Sequence, residues 1–150
     1  MRRIRGRGGG AEGLARSLLL SGPMTTIKPE IVKALVTLQA RLVDAVLALE
    51  LPDLEEGEVL SGGPPPYRRL DCDGRALAYI RPRPRKRAVR VDITGLWRAP
   101  RSSPIATPNA GGAASLLVGN EGDLHDAVRF ILATVEGTRR AEARALERQA

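Results

Sequence analysis

Between Leu35 and Leu49 apolar side chains recur every three or four residues, at Leu35, Leu38, Leu42, Val46 and Leu49, the period of one face of an α-helix. Val32, Val36, Val43 and Leu47 widen that stripe, while Lys33, Thr37, Arg41 and Asp44 make a polar face. Thr25 and Thr26 offer N-cap hydroxyls, Pro29 suits a first helical turn, Glu30 complements the dipole, and Pro52 closes the element. The segment "LPDLEEGEVLSGGPPP" then reads as an acidic loop. Beyond it the period falls to two. In "YRRLDCDGRALAYI" the pair Asp73-Gly74 predicts a type I′ hairpin turn, which places Leu70 opposite Leu77 and Arg68 opposite Tyr79. Val89, Val91 and Ile93 alternate with Arg90, Asp92 and Thr94, the pattern of a strand with one dry and one wet face.

After Gly95 and Trp97, the composition of "RAPRSSPIATPNAGGAAS" predicts a mobile loop. "LLV" at 116–118 adds a short edge strand, and Asp123, with Asp126 three residues on, is expected to cap a final helix whose apolar face is Leu124, Val128, Ile131 and Val135. Gly137 is expected to interrupt it, leaving "TRRAEARALERQA" as a charged, fraying extension. These elements predict the α+β class: an antiparallel three- to four-stranded β-meander packed by an N-terminal and a C-terminal helix.

A chain of 150 residues with 43% hydrophobic content suits one domain. We place it at 24–137, with a charged helical tail at 138–150 and a disordered Arg/Gly-rich leader at 1–23. Gly8, Gly10 and Gly13 have the G-x-G-x-x-G spacing of a dinucleotide site, but only Met1 to Arg7 precede them, four of those seven residues being arginine, so the required buried strand is missing. No cofactor is expected. "LARSLLL" is too short for a secretory signal, and the protein-like segment opening at Met24 suggests that translation starts there.

Charge adds a partner class. The net +7 is uneven: Tyr67 to Arg101 holds eleven basic residues against Asp71, Asp73 and Asp92, whereas residues 50–58 hold five acids and no base. Five of the cations, Arg81, Arg83, Arg85, Lys86 and Arg87, lie in seven consecutive residues between two strand-like runs. There they could bind phosphates by counterion release, with Tyr79 or Trp97 as a stacking surface. The same residues could instead only protect a sheet edge, with the acidic loop neutralising them.

Enzymatic chemistry finds little support. One cysteine, Cys72, and one histidine, His125, cannot build a multi-cysteine zinc site or an imidazole cluster, and no G-x-S-x-G elbow supports a nucleophile triad. Asp71, Asp73 and Asp92 could be the acids of a metal nuclease, but "VDITG" lacks the acid-x-Lys pair. The single cysteine fits a cytoplasmic protein, and Lys33, Gln39, Arg41 and Asp44 break the only long apolar stretch, so no membrane association is expected.

The order of helix, meander with "AYIRPRPRKRAVRVDIT", long loop and "GDLHDAVRFILATVE" resembles small bacterial α+β domains that accompany nuclease or restriction modules, and is loosely similar to the YjbR-like family, described as DNA-binding. The resemblance covers about residues 28–137 and carries over no site residue. The leading expectation is a non-enzymatic binding or accessory domain, meeting a protein partner or itself through the first helix. The alternative is nucleic-acid binding through Arg81, Arg83, Arg85, Lys86 and Arg87, and the third reading is the metal-dependent nuclease.

Overall fold

A computed structural model describes residues 27–59 and 65–150. The arginine-rich leader and the proposed start at Met24 lie outside the described residues. The chain divides into two units, residues 1–32 and 33–150. The sheet and the C-terminal helix belong to the second.

Helix α1 spans Pro29–Leu47, with Glu30 in its first turn. It ends where Glu50 turns left-handed at φ 53°, its amide bonded to the Leu47 carbonyl at 3.1 Å. Leu42, Val43 and Val46 are fully buried. The strands are β1 (Leu54–Gly57), β2 (Arg68–Cys72), β3 (Arg75–Arg83), β4 (Ala88–Ile93), β5 (Thr107–Pro108) and β6 (Ala114–Val118), and helix α2 runs Glu121–Gln149. They form one six-stranded antiparallel sheet in the order β1-β2-β3-β4-β6-β5. The α+β class holds, with more strands than the sequence pattern suggests.

Both additional strands come from segments that read as loops. The acidic run supplies β1, where Glu56 faces Leu70 and takes two hydrogen bonds from Arg68, each 2.7 Å. That bidentate bond holds the Glu56 carboxyl below its usual range. The Ser/Pro/Gly loop supplies β5 and is tied to its surroundings: the Ala99 amide bonds the Gly112 carbonyl at 3.0 Å, and Arg101 donates to the Ala113 carbonyl at 2.7 Å. Gly112 is required there, because a Cβ would lie 1.8 Å from the Trp97 carbonyl oxygen. As a result β6 has β5 beside it at Ala114 and Ser115, while Leu116, Leu117 and Val118 pair with β4 alone.

The Asp73-Gly74 turn forms as the sequence predicts, with φ of 56° and 73°, and pairs Cys72 with Arg75 and Asp71 with Ala76. The register then slips. Leu70 faces Ala78 and Arg68 faces Ile80, leaving Leu77 as an extra residue in a β-bulge, so the expected pairs Leu70 with Leu77 and Arg68 with Tyr79 are corrected. The reason lies in burial. Leu77 and Ala78 are consecutive and both fully buried, which strict alternation forbids. Without the slip, the parity that buries Leu77 would bury Arg81 and Arg83. With it, Ile80 and Pro82 face the core, and Tyr79, Arg81 and Arg83 lie on the opposite face.

Two side chains clamp the bulge. Thr94 Oγ1 and the indole Nε1 of Trp97 donate to the same acceptor, the Ala76 carbonyl, at 2.7 and 3.1 Å, and the Thr94 amide donates to the Leu77 carbonyl at 3.0 Å. Trp97 is fully buried, which removes it as a stacking surface. The Arg75 guanidinium lies 4.0 Å from the centre of its ring and reaches Glu142 of α2 at 3.0 Å. From α1, buried Gln39 donates to the carbonyls of Ile80 and Pro66, at 2.8 and 3.1 Å.

Helix α2 starts three residues before the expected cap. Asn120 is the N-cap, its Oδ1 accepting from the Asp123 amide at 2.8 Å, while the Asp123 carboxylate accepts from the Gly119 amide at 2.9 Å. Gly137 does not interrupt it. A helical glycine costs about 1 kcal/mol relative to alanine, and anchors immediately after this one outweigh that: buried Thr138 accepts the Arg98 amide at 2.9 Å, and Arg139 bonds Asp73 at 2.9 Å and the Pro52 carbonyl at 2.7 Å.

The shared acceptor yields a non-additive prediction. Thr94→Val or Trp97→Phe alone leaves the Ala76 carbonyl one partner; the double variant leaves none. Urea denaturation should show a double-variant loss exceeding the sum of the single losses by about 1 kcal/mol or more. Strict additivity would contradict the clamp.

Candidate functional site

Side chains from five strands gather on the face away from the core. Cross-strand registers run Arg69, Tyr79, Asp92, Ser115 and Thr107 in one row, and Arg81, Arg90 and Leu117 in the next. Arg81 and Arg90 therefore stand directly opposite each other, an arrangement of like charges that costs stability in an isolated sheet. Arg90 is partly balanced by Asp92 at 2.9 Å on its own strand. Arg81 lies 5.2 Å from the centre of the Tyr67 ring, which packs 5.6 Å from that of Tyr79.

Of the five cations named from sequence, Arg81 and Arg83 belong to β3, and Arg85, Lys86 and Arg87 to the turn that follows. Pro84 starts a single 3-10 turn closed by the Arg87 amide on the Pro84 carbonyl at 3.0 Å. Arg87 then sits at φ 51°, ψ 41°, a left-handed conformation costing a non-glycine residue about 1 kcal/mol. Arg81, Arg85, Lys86 and Arg87 are exposed and Arg83 is half-buried. Arg83, Lys86 and Arg87 meet no carboxylate among the described residues, whereas Asp71, Asp73, Asp92 and Glu142 are each taken by an arginine outside the tip. Glu56 of the acidic segment is held by Arg68 on the far edge pair of strands.

At the root of the hairpin the same face sinks into a depression of about 330 Å³. Arg83, Lys86 and Arg90 line it, with Thr107 and Ser115. Ile105 and Leu117 add apolar wall and are 38% and 46% exposed. The tip composition revealed Arg83 and Lys86. Arg90, Thr107, Ser115 and Leu117 escaped notice because only the β4–β6–β5 pairing brings them there, although the alternation of Ser115 and Leu117 with Leu116 and Val118 was the available signal.

The nuclease acids are not brought together. Asp71 pairs with Arg69 at 2.9 Å on β2, Asp73 lies in the turn against Arg139, and Asp92 is on β4. Among the described residues no cluster of three His, Cys, Asp or Glu side chains is placed to hold a metal ion. His125 lies exposed on α2, 3.8 Å from Glu121. Cys72 is buried; burial pushes its thiol pKa up, against the opposing pull of Arg139. The first helix buries Leu35, Leu42, Val43 and Val46 of its stripe and leaves Val36 38% exposed. No helix among the described residues is long and apolar enough to cross a membrane. No family model, curated protein or solved structure matches the chain.

Two substitutions separate structural from displayed arginines. Arg87→Gly should preserve stability or raise it by up to about 1 kcal/mol, because it relieves a left-handed arginine with no carboxylate partner. Arg75→Ala should lower it by about 1–3 kcal/mol through loss of the Trp97 and Glu142 contacts. Equal losses in denaturant titrations would contradict this division.

Proposed function

We propose that the protein is a non-enzymatic nucleic-acid-binding module that grips the phosphate backbone with the β3–β4 hairpin and the outer face of its sheet. The observation that carries this reading is that Arg83, Lys86 and Arg87 meet no carboxylate among the described residues while Arg81 and Arg90 are set against each other. A row of phosphates would relieve that repulsion and release counterions. The stiff Pro84 turn displays Lys86 and Arg87, which meet no carboxylate among the described residues. Sequence favours a protein partner through α1, but Leu35, Leu42, Val43 and Val46 of that helix are already buried within the chain, which weighs against the preference.

Fluorescence anisotropy with generic DNA and RNA oligonucleotides tests the reading. Binding should weaken steeply between about 50 and 200 mM salt. The combined variant Arg83→Ala, Lys86→Ala, Arg87→Ala should reduce the log–log salt slope by about 1 per lost phosphate contact, hence by ~2 to 3. No binding at low salt, or a variant that binds like the parent, would overturn it.

A further inference from the structure

The depression at the hairpin root is more than a flat phosphate track requires. A surface that only neutralises a duplex backbone needs cations spaced along it and no cavity. Here Arg83, Lys86 and Arg90 border a hollow of about 330 Å³, at the small end of the ~300–1,000 Å³ range of ligand pockets. It is large enough for one small ligand unit and too small for a stretch of chain.

The lining is divided in kind. Positive charge comes from the hairpin side and β4, while Thr107 and Ser115 place hydroxyls on the side of the edge strands. Ser115 Oγ accepts from Asn109 Nδ2 at 3.4 Å and keeps its own proton to donate. Ile105 and Leu117 supply the exposed aliphatic surface. Cation, hydroxyl and apolar wall together match a nucleotide whose base has left its stack: phosphate toward the guanidinium and ammonium groups, sugar or base edge toward the hydroxyls, base face against the aliphatics. Next along the same face, Tyr67 and Tyr79 offer ring surface beside Arg81. A paired duplex presents no unstacked base and could use only the cations.

We infer that the hollow bounded by Arg83, Lys86, Arg90, Ser115 and Leu117 is a nucleotide subsite that makes the protein select unpaired strands over duplex. This rests on the nucleic-acid reading above and sharpens it to a substrate class.

The full chain is titrated with single-stranded DNA, single-stranded RNA of the same sequence, and the DNA duplex, at one salt concentration and equal phosphate content. At least one single strand should bind about tenfold or more tighter than the duplex, and the two single-strand arms identify the sugar preferred. Two variants then address the cavity without touching a cation. Ile105→Ala with Leu117→Ala removes the apolar wall, and Ser115→Phe fills the space. Each should cut single-strand affinity about five- to tenfold and change duplex affinity less than twofold. Duplex binding equal to or tighter than single-strand binding, or a preference that survives both variants, overturns the subsite and leaves the phosphate-binding reading standing. Absence of binding in all three arms overturns both.

Discussion

The slip of one residue at Leu77 decides what the sheet displays. A strand exposes alternate side chains, so "RALAYIRPR" can bury Leu77 or keep Arg81 and Arg83 out of the core, but not both in one regular ladder. An unpaired guanidinium in an apolar layer would cost several kcal/mol, far more than one interrupted pair of ladder hydrogen bonds. The bulge therefore wins, and Thr94 and Trp97 restore the hydrogen bonds it disrupts. Everything on the outer face follows: Tyr79 beside Tyr67, Arg81 opposite Arg90, and Arg83 at the rim of the hollow.

The rest of the fold holds that slip in place. Gln39, one of the polar breaks in the first apolar stretch, is the side chain by which α1 bonds the Ile80 carbonyl just beyond the bulge. Arg75, on the near side, covers the indole that clamps it and reaches α2. Arg139 ties α2 back to the Asp73 turn at the start of the same strand. Polar side chains thus fix the register from three elements, while Leu42, Val91 and Ile131 supply the non-directional burial. Arg68, Arg75 and Arg139 thus join elements through carboxylates, whereas Arg83 and Arg87 at the hairpin meet none among the described residues.

The sequence disclosed what depends on local periodicity. The 3.6-residue stripe of α1, the Asp73-Gly74 turn and the alternation of Val89, Val91 and Ile93 are each readable within a few residues and each forms. It concealed what depends on distant partners. β1 is a strand because it pairs with β2, where the Arg68 side chain reaches Glu56, β5 because β6 offers it an edge, and α2 passes Gly137 because Arg98, Asp73 and Pro52 anchor its neighbours. The bulge is intermediate: its evidence, the conflict between Leu77 and Arg81, stands in the sequence, but the clamp that resolves it comes from Thr94 and Trp97. For the site, composition exposed the tip and long-range strand pairing supplied the hollow beneath it.

Thiol labelling of the native protein measures the central claim directly. Ile80→Cys and Arg81→Cys place probes on adjacent residues just past the bulge, and buried Cys72, its thiol pKa pushed up, stays silent. With the register slipped as described, the thiol at 81 reacts near the rate of an unfolded chain and the thiol at 80 more slowly by a factor on the order of 100. Equal rates, or faster reaction at 80, would mean that the strand does not turn its arginines outward, and the account would fail.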